Sequence, residues 1–379
     1  MQADKHTLIA TTAFGLEATC KRELARLGYT PHRVWNGRIY FKGDDMAVAR
    51  ANIGLGSADR LLLCVGEFEV TSFEGLFDAV KALPCADYIP IDGAFAVIGK
   101  SVKSALYSVP DCQAIVKKAV VESLKERYKV DWFKEDGPIC KVQVALNNDV
   151  ATLTIDTTGE PLHRRGYRKA ISQAPIKETL AYGLIELSYF RRGRPFLDPL
   201  CGSGTIAIEA AMTARNIAPG AKRRFVSESW PCFDKKVWNN ARTEFGRNVI
   251  KGDLPYPIIA RDKSPELIAL AQENARRAGV LDDIDFAVAD ISSLQVAHEH
   301  GIMITKPPYG ERIGNKGEIE HIYRHIAKAF PKGGTWSLNI ISSDEVEKAL
   351  SRKASRRRKL FNGDIKAQYY QFDGPRPTQ

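Results

Sequence analysis

FLDPLCGSGTIAIEAAM, residues 196–212, is the stretch from which the rest of the chain can be read. An apolar run ends at Asp198, the group Gly202, Ser203 and Gly204 makes a turn, and Ile206, Ile208, Ala210 and Ala211 continue at helical spacing. A strand, a glycine turn and a helix in that order build the ligand crevice of an open parallel sheet. Glycines there let the backbone approach a ligand and take positive φ. Two ligand classes fit poorly: a dinucleotide fingerprint wants a third glycine where Ala207 stands, and a P-loop wants a lysine that is absent. Asp198 decides among the rest. A carboxylate repels a pyrophosphate but attracts the ammonium, sulfonium and hydroxyls of S-adenosylmethionine (SAM). The expected cofactor site is therefore Asp198, Gly202, Ser203 and Gly204 around SAM.

With 379 residues the chain has room for two or three domains. No apolar run approaches a membrane span, and the start, MQADKHTLIATTAF, lacks the basic region and cleavage site of a signal peptide, so a cytoplasmic protein without a membrane partner is expected. The seven cysteines (20, 64, 85, 112, 140, 201 and 232) are scattered singly, with no Cys-x-x-Cys and no His pair at metal spacing, and no metal is expected. Charge is uneven: 19 Lys and Arg stand against 21 Asp and Glu through residue 160, leaving 36 against 24 in the remainder. Arg164, Arg165, Arg168 and Lys169 form one basic cluster, and Arg352, Lys353, Arg356, Arg357, Arg358 and Lys359 another. Such patches suit a polyanion.

In the first third, a strand at 6–11, a helix at 16–27 stopped by Gly28, two strands around Asn36-Gly37, a helix at 46–53 and an apolar strand at 61–65 give the order of a split βαβ, ferredoxin-like unit. From about Thr71 the pattern restarts with a helix to Leu83, a strand at 94–99, a helix at 111–128, and a hairpin of 142–146 with 151–155. Lys100 and Lys103 stand just after the strand and Lys117 and Lys118 on the helix, where phosphates could be gripped. Together with Arg164, Arg165 and Arg168 they are the candidate RNA-binding residues.

The segment DYIPIDGAFAVIGKSVKSALYSVPDCQAIVKKAVVESL, followed by LHRRGYR and APIKETLA, resembles the THUMP domain and junction of bacterial large-subunit ribosomal RNA guanine-N2 methyltransferases, and the resemblance runs over nearly the whole chain. It implies three parts: a ferredoxin-like domain at 1–65, a THUMP domain that binds RNA at 66–160, and a seven-stranded Rossmann-like methyltransferase domain at 161–379. It also implies that a helix at 176–188 packs over the cofactor, so that Lys177, Glu178 and Thr179 line its methionine end. The stretch 216–257 resembles an insertion of the same family.

Two further strand-end acids join Asp198. Asp262 ends a strand at 258–260 and precedes Ser264-Pro265-Glu266, a capped helix start, where it can accept both ribose hydroxyls. Asp290 ends a strand at 286–289, where it can accept the adenine amino group. A fourth strand, 302–305, runs into Lys306-Pro307-Pro308-Tyr309. Amino-group methyltransferases that this chain resembles carry Asn or Asp, then Pro-Pro-Tyr/Phe, at that place. A side-chain oxygen and a proline-fixed carbonyl there accept the two hydrogens of an exocyclic amine, while the aromatic ring stacks on the flipped base. Lys306 departs from the pattern, because a charged lysine has three donors and no acceptor. After it come a strand at 335–341, a basic helix, and a hairpin turned by Asn362-Gly363.

The expected function is SAM-dependent methylation of an exocyclic base amine in RNA, guanine N2 of large-subunit ribosomal RNA before or during assembly, with Lys306, Pro307, Pro308 and Tyr309 at the reacting amine. Two other readings follow from the same residues. One is adenine-N6 methylation of nucleic acid. The other is a non-catalytic RNA-binding protein that retains SAM because Lys306 replaces the acceptor.

Overall fold

A computed structural model describes residues 5–168, 176–308, 316–363 and 365–375. The chain divides into two compact units, neither of them continuous in sequence. The first holds residues 1–12, 21–162 and 223–244; the second holds 13–20, 163–222 and 245–379.

In the first unit the elements follow as β1 (His6–Thr12), α1 (Glu17–Arg26), β2 (Pro31–Trp35), β3 (Arg38–Gly43), α2 (Asp45–Gly54), β4 (Ala58–Glu69), α3 (Phe73–Lys81), β5 (Val97–Val102), α4 (Val109–Tyr128), β6 (Val142–Asn147) and β7 (Val150–Asp156), of which α1 begins in the second unit. Local chemistry sets the helix starts: Asp44 accepts from Ala47 N at 3.0 Å to open α2, and Ser72 accepts from Gly75 N at 3.1 Å to open α3. What the sequence divides near residue 65 is one sheet, in the order β2-β3-β1-β4-β7-β6-β5. The twelve residues of β4 join the two parts, pairing with β1 through residues 58–64 and with β7 through residues 62–69. The strand expected at 94–99 lies three residues later, at Val97–Val102, with only an isolated bridge at Ala94. Lys100 is thus inside β5 and Lys103 just past it.

Part of the expected insertion completes this unit. Ser227 Oγ donates to Thr157 O at 2.7 Å, fully buried Trp230 donates through Nε1 to Ile139 O at 3.0 Å, and Phe233 meets the His6 ring edge on at 5.8 Å. Arg50 and Glu244 form a two-pronged ion pair.

The second unit continues with α5 (Glu178–Leu187), β8 (Phe196–Asp198), α6 (Thr205–Ala214), α7 (Lys235–Arg247, whose first part belongs to the other unit), β9 (Ile258–Asp262), α8 (Pro265–Ala278), β10 (Ile284–Val288), β11 (Ile302–Thr305), α9 (Lys316–Ala329), β12 (Ser337–Ser342), α10 (Val346–Ala349), β13 (Arg356–Asn362) and β14 (Ile365–Phe372). The basic helix expected after β12 is the single turn α10. Strand order is β10-β9-β8-β11-β12-β14-β13, with β14 the antiparallel insertion. Both faces are covered: one core joins α5, α6 and α8 to the sheet, the other joins α9 and α10. Strand order reverses between β8 and β11, and a parallel sheet opens its crevice at such a switch point, beyond the carboxyl ends of the strands.

Candidate cofactor and amine site

At the switch point the chain leaves β8 and turns sharply, with Gly204 N donating to Cys201 O at 2.9 Å. The two glycines are needed for different reasons. Gly202, at φ +53°, has open space where a Cβ would stand, whereas a Cβ on Gly204, at φ +83°, would lie 2.9 Å from the Ala271 Cβ on α8. Gly202 therefore faces the crevice and Gly204 packs the turn on the helix. Asn274, also on α8 and fully buried, donates to Ser203 O at 3.1 Å and fixes the turn from below. Sequence reading missed Asn274, although a polar letter among Ile268, Ala271, Ala275 and Ala278 on an apolar helix face was the available signal.

The three strand-end acids sit in different surroundings. Asp198 is buried and accepts from Thr305 Oγ1 at 3.0 Å and from Leu200 N at 3.3 Å. Burial pushes its carboxyl up to about 7, against the pull of those two bonds, with Asp262 nearby raising it further and the Lys306 ammonium lowering it. Asp262 uses one oxygen for Gly202 N at 2.9 Å and the other for Ser264 N at 3.0 Å, so it ties the glycine turn to the start of α8. Asp290 is exposed; hydrogen bonds from Ser292 hold it down at about 2, and His321 Nε2 lies 3.5 Å away. A cavity of about 280 Å³ reaches Asp290 and is walled by Leu197, Pro199, Ile259, Ala289 and Ile291. The expected SAM fits these residues: an open glycine backbone, a desolvated carboxyl that a cation would ionise, and a cavity with apolar walls that Arg261, Asp290, Ser293 and Gln295 also line.

Thr305, which sequence reading also passed over, brings the fourth strand to the first. Its bond to Asp198 places half-buried Lys306 and buried Pro307 beside the acid; Pro308 is exposed, and Tyr309 lies outside the described residues. Thr179 is buried in the first turn of α5.

Two of the arginines assigned to RNA lie inside the unit. Arg165 is 4 % exposed and faces Glu209 at 3.4 and 3.5 Å, with the Tyr167 hydroxyl donating to the same carboxylate at 3.0 Å. Arg168 donates to Ile176 O at 3.0 Å and Thr205 Oγ1 at 2.8 Å, and lies 3.4 Å from buried Glu178. Arg168 joins the start of α5 to the start of α6 and Arg165 holds the middle of α6, and a buried charge with such partners is structural. Arg164 is exposed. In the first unit Lys117 donates to Phe95 O at 2.8 Å and Glu135 at 3.0 Å, lying over the Phe95 ring, so its ammonium is already engaged. Lys100, Lys103 and Lys118 are exposed.

Comparison with known proteins gives the family and the fold. Residues 165–371 match the model of the RMKL-like methyltransferase domain, residues 7–62 the RlmL ferredoxin-like domain, and residues 70–156 the THUMP domain. The chain belongs to the RMKL-like methyltransferase family. This methyltransferase is 47 % identical over 371 residues to a Bacillus subtilis protein named "Putative RNA methyltransferase YpsC", covering 97 % of this chain and 96 % of that one. Its fold matches a Listeria monocytogenes protein described as "a predicted N6-adenine-specific DNA methylase", at 46 % identity and TM-score 0.93 over 98 % of this chain and 96 % of that chain. It also matches the protein described as "SMU.472, a putative methyltransferase complexed with SAH" (S-adenosylhomocysteine), at 39 % identity and TM-score 0.92 over 98 % of this chain and 99 % of that chain. Among the described residues no helix is long and apolar enough to cross a membrane.

Proposed function

We propose that this methyltransferase uses SAM to methylate an exocyclic base amine in RNA, with guanine N2 of large-subunit ribosomal RNA as the target. The observation that carries the reading is the Thr305–Asp198 hydrogen bond, which puts the Lys306-Pro307-Pro308 strand end against the cofactor acid. When bound, SAM supplies an electrophilic methyl group on a sulfonium that is already a good leaving group. The chain's own residues then have only to bind and align. Asp198 attracts the ammonium, Asp262 accepts from the ribose hydroxyls with the lone pairs its two backbone bonds leave, and Asp290 accepts from the adenine amino group. The Pro307 carbonyl accepts a hydrogen of the target amine and turns its lone pair toward the methyl. Lys306 offers no acceptor while charged, and its charge opposes the cation that forms on the amine, which makes the reaction slow rather than absent.

RNA is favoured over DNA by the THUMP domain and by the B. subtilis relative's name. The proposed RNA contacts of the first unit are Lys100, Lys103 and Lys118, with Arg164 beyond it. A second reading, adenine N6, is favoured by the description of the Listeria protein. Incubation with SAM and large-subunit ribosomal RNA lacking modifications, followed by nucleoside analysis, separates the two: N2-methylguanosine supports the proposal, N6-methyladenosine replaces it with the second reading, and an unmethylated RNA sinks both.

A further inference from the structure

The methyltransferase unit carries an exposed feature that cofactor binding does not use. Residues 13–20 belong to this unit. Leu16 is fully buried in the core against Gly183, where a Cβ would lie 2.6 Å from it. Gly15, at φ +92°, lies so close to β13 that a Cβ there would stand 2.9 Å from the Lys359 carbonyl oxygen. Beside these two anchors Phe14 is 58 % exposed. It meets Phe361 edge to face, 6.2 Å between centroids, and Lys359 Nζ lies 5.4 Å over the Phe361 ring. Ile365 and Lys366 are exposed on the facing strand. Among the described residues neither Lys359 nor Lys366 has an acidic partner.

Strand register fixes where this patch stands. Ser342, the last residue of β12, pairs with Gln368, while Phe361 pairs with Lys366. The tip of the β13–β14 hairpin therefore rises beyond the carboxyl end of β12, the same end of the sheet at which Asp198, Asp262 and Thr305 meet. With strands roughly 4.8 Å apart, β14 and β13 stand about 10–15 Å from β11. An exposed Phe14 ring, a half-buried Phe361 ring and exposed lysines stack a base and neutralise its phosphate without reading sequence. A purely apolar partner would leave both ammonium groups unanswered.

We propose that Phe14, Phe361, Lys359 and Lys366 form a docking surface for single-stranded RNA next to the target base, holding a flanking nucleotide by stacking and by its phosphate. This rests on the RNA reading above. The test compares the wild type, Phe14→Ala, Phe14→Tyr and the double variant Lys359→Ala/Lys366→Ala on an unmodified large-subunit ribosomal RNA transcript, with SAM affinity measured alongside. Phe14→Ala is expected to weaken RNA binding about ten-fold, chiefly as a rise in KM, with SAM affinity and kcat within about two-fold, and Phe14→Tyr to retain wild-type binding. The double lysine variant is expected to lower the slope of log affinity against log salt by about 1.4. If the wild type binds and methylates the RNA and all variants match it in affinity and slope, the docking surface is overturned while the RNA reading stands. A wild type that binds no RNA overturns both. Self-association of the wild type, lost in Phe14→Ala, would assign the patch to a second copy of the chain and overturn the proposal.

Discussion

Asp156 and Asp198 are both buried acids at strand ends, one in each seven-stranded sheet, and they do opposite work. Asp156 ends β7 in a sheet where β1, β3, β4, β7 and β6 pair antiparallel, so carboxyl ends alternate and no rim collects them. Its carboxylate is spent on the Arg60 ion pair and on Thr158 N at 2.9 Å. Asp198 ends β8 among the parallel strands β10, β9, β8, β11 and β12, whose carboxyl ends share one rim. Among the described residues its hydrogen-bond partners are a threonine hydroxyl and one amide, with open space at Gly202 close by. A buried acid stays available to a ligand when, as for Asp198 among the described residues, the sheet leaves it no counter-charge in hydrogen-bonding contact and room beside it.

The sharpest way to break this contrast is substitution of an acid in each sheet. Asp262→Ala removes a ribose acceptor together with the bonds to Gly202 N and Ser264 N. A charged hydrogen bond alone is worth about 1.5–3 kcal/mol, so calorimetry should show SAM affinity down by about a hundred-fold. Asp156→Asn should lower the melting temperature and leave the SAM affinity of the folded protein within about two-fold. Equal SAM affinities for the two variants would move the site elsewhere.

Next in size is the anomaly at the rim. Lys306→Asn restores the acceptor and removes a like charge, and loss of one such transition-state contact typically costs about 10²- to 10³-fold. Single-turnover methylation should rise at least about ten-fold with SAM affinity within about three-fold. An equally fast or slower variant would show the lysine to be tolerated or used.

The third prediction concerns pH. Asp198 sits at about 7 in the folded protein against 3.8 as its ordinary value. Its pKa is raised, so the stability it contributes is fully present below the unfolded value and is lost as pH rises toward 7. Binding of the SAM ammonium requires the ionised form and runs the other way. SAM affinity at pH 6 should be about ten-fold below its plateau above pH 8, and Asp198→Asn should flatten both profiles. A wild-type affinity flat between pH 6 and 8 would remove Asp198 from the binding site.

The smallest effect separates two adjacent lysines of the first unit. Lys118→Ala should reduce the salt slope of RNA binding by about 0.7–0.9. Lys117→Ala should leave that slope alone and lower thermal stability, because it deletes the bonds to Phe95 O and Glu135. Identical slopes for both variants would make Lys118 plain surface.

These lysines also show how much could be read in advance. Periodicity found most elements, α7 and α9 excepted, and the strand, glycine turn and helix at 196–212 fall where they were expected, because those signals are local. Partners distant in sequence were invisible. The cluster Arg164, Arg165 and Arg168 looked like a phosphate grip because Glu209 and Glu178, which bury two of its members, belong to helices that only the fold brings together. Thr305 read as an ordinary strand residue until the pairing of β11 with β8 set it against Asp198. The resemblance of 216–257 to an insertion did not reveal that 223–244 completes the first unit, since Trp230 could have filled either core.

That exchange of segments bears on how the protein is made. A ribosome delivers residues 1–162 well before Ser227 and Trp230, so the nascent first unit waits with Thr157 O and Ile139 O unanswered by the side chains that later bond them. Leu16, delivered early, has its place against Gly183 in a core that does not yet exist. Each unit thus holds an early or a late strand of chain in trust for the other, and the two cannot be transplanted between proteins as cassettes cut at residue 160. In such a chain the first unit cannot be finished until residue 244 has been made, nor the second without residues 13–20.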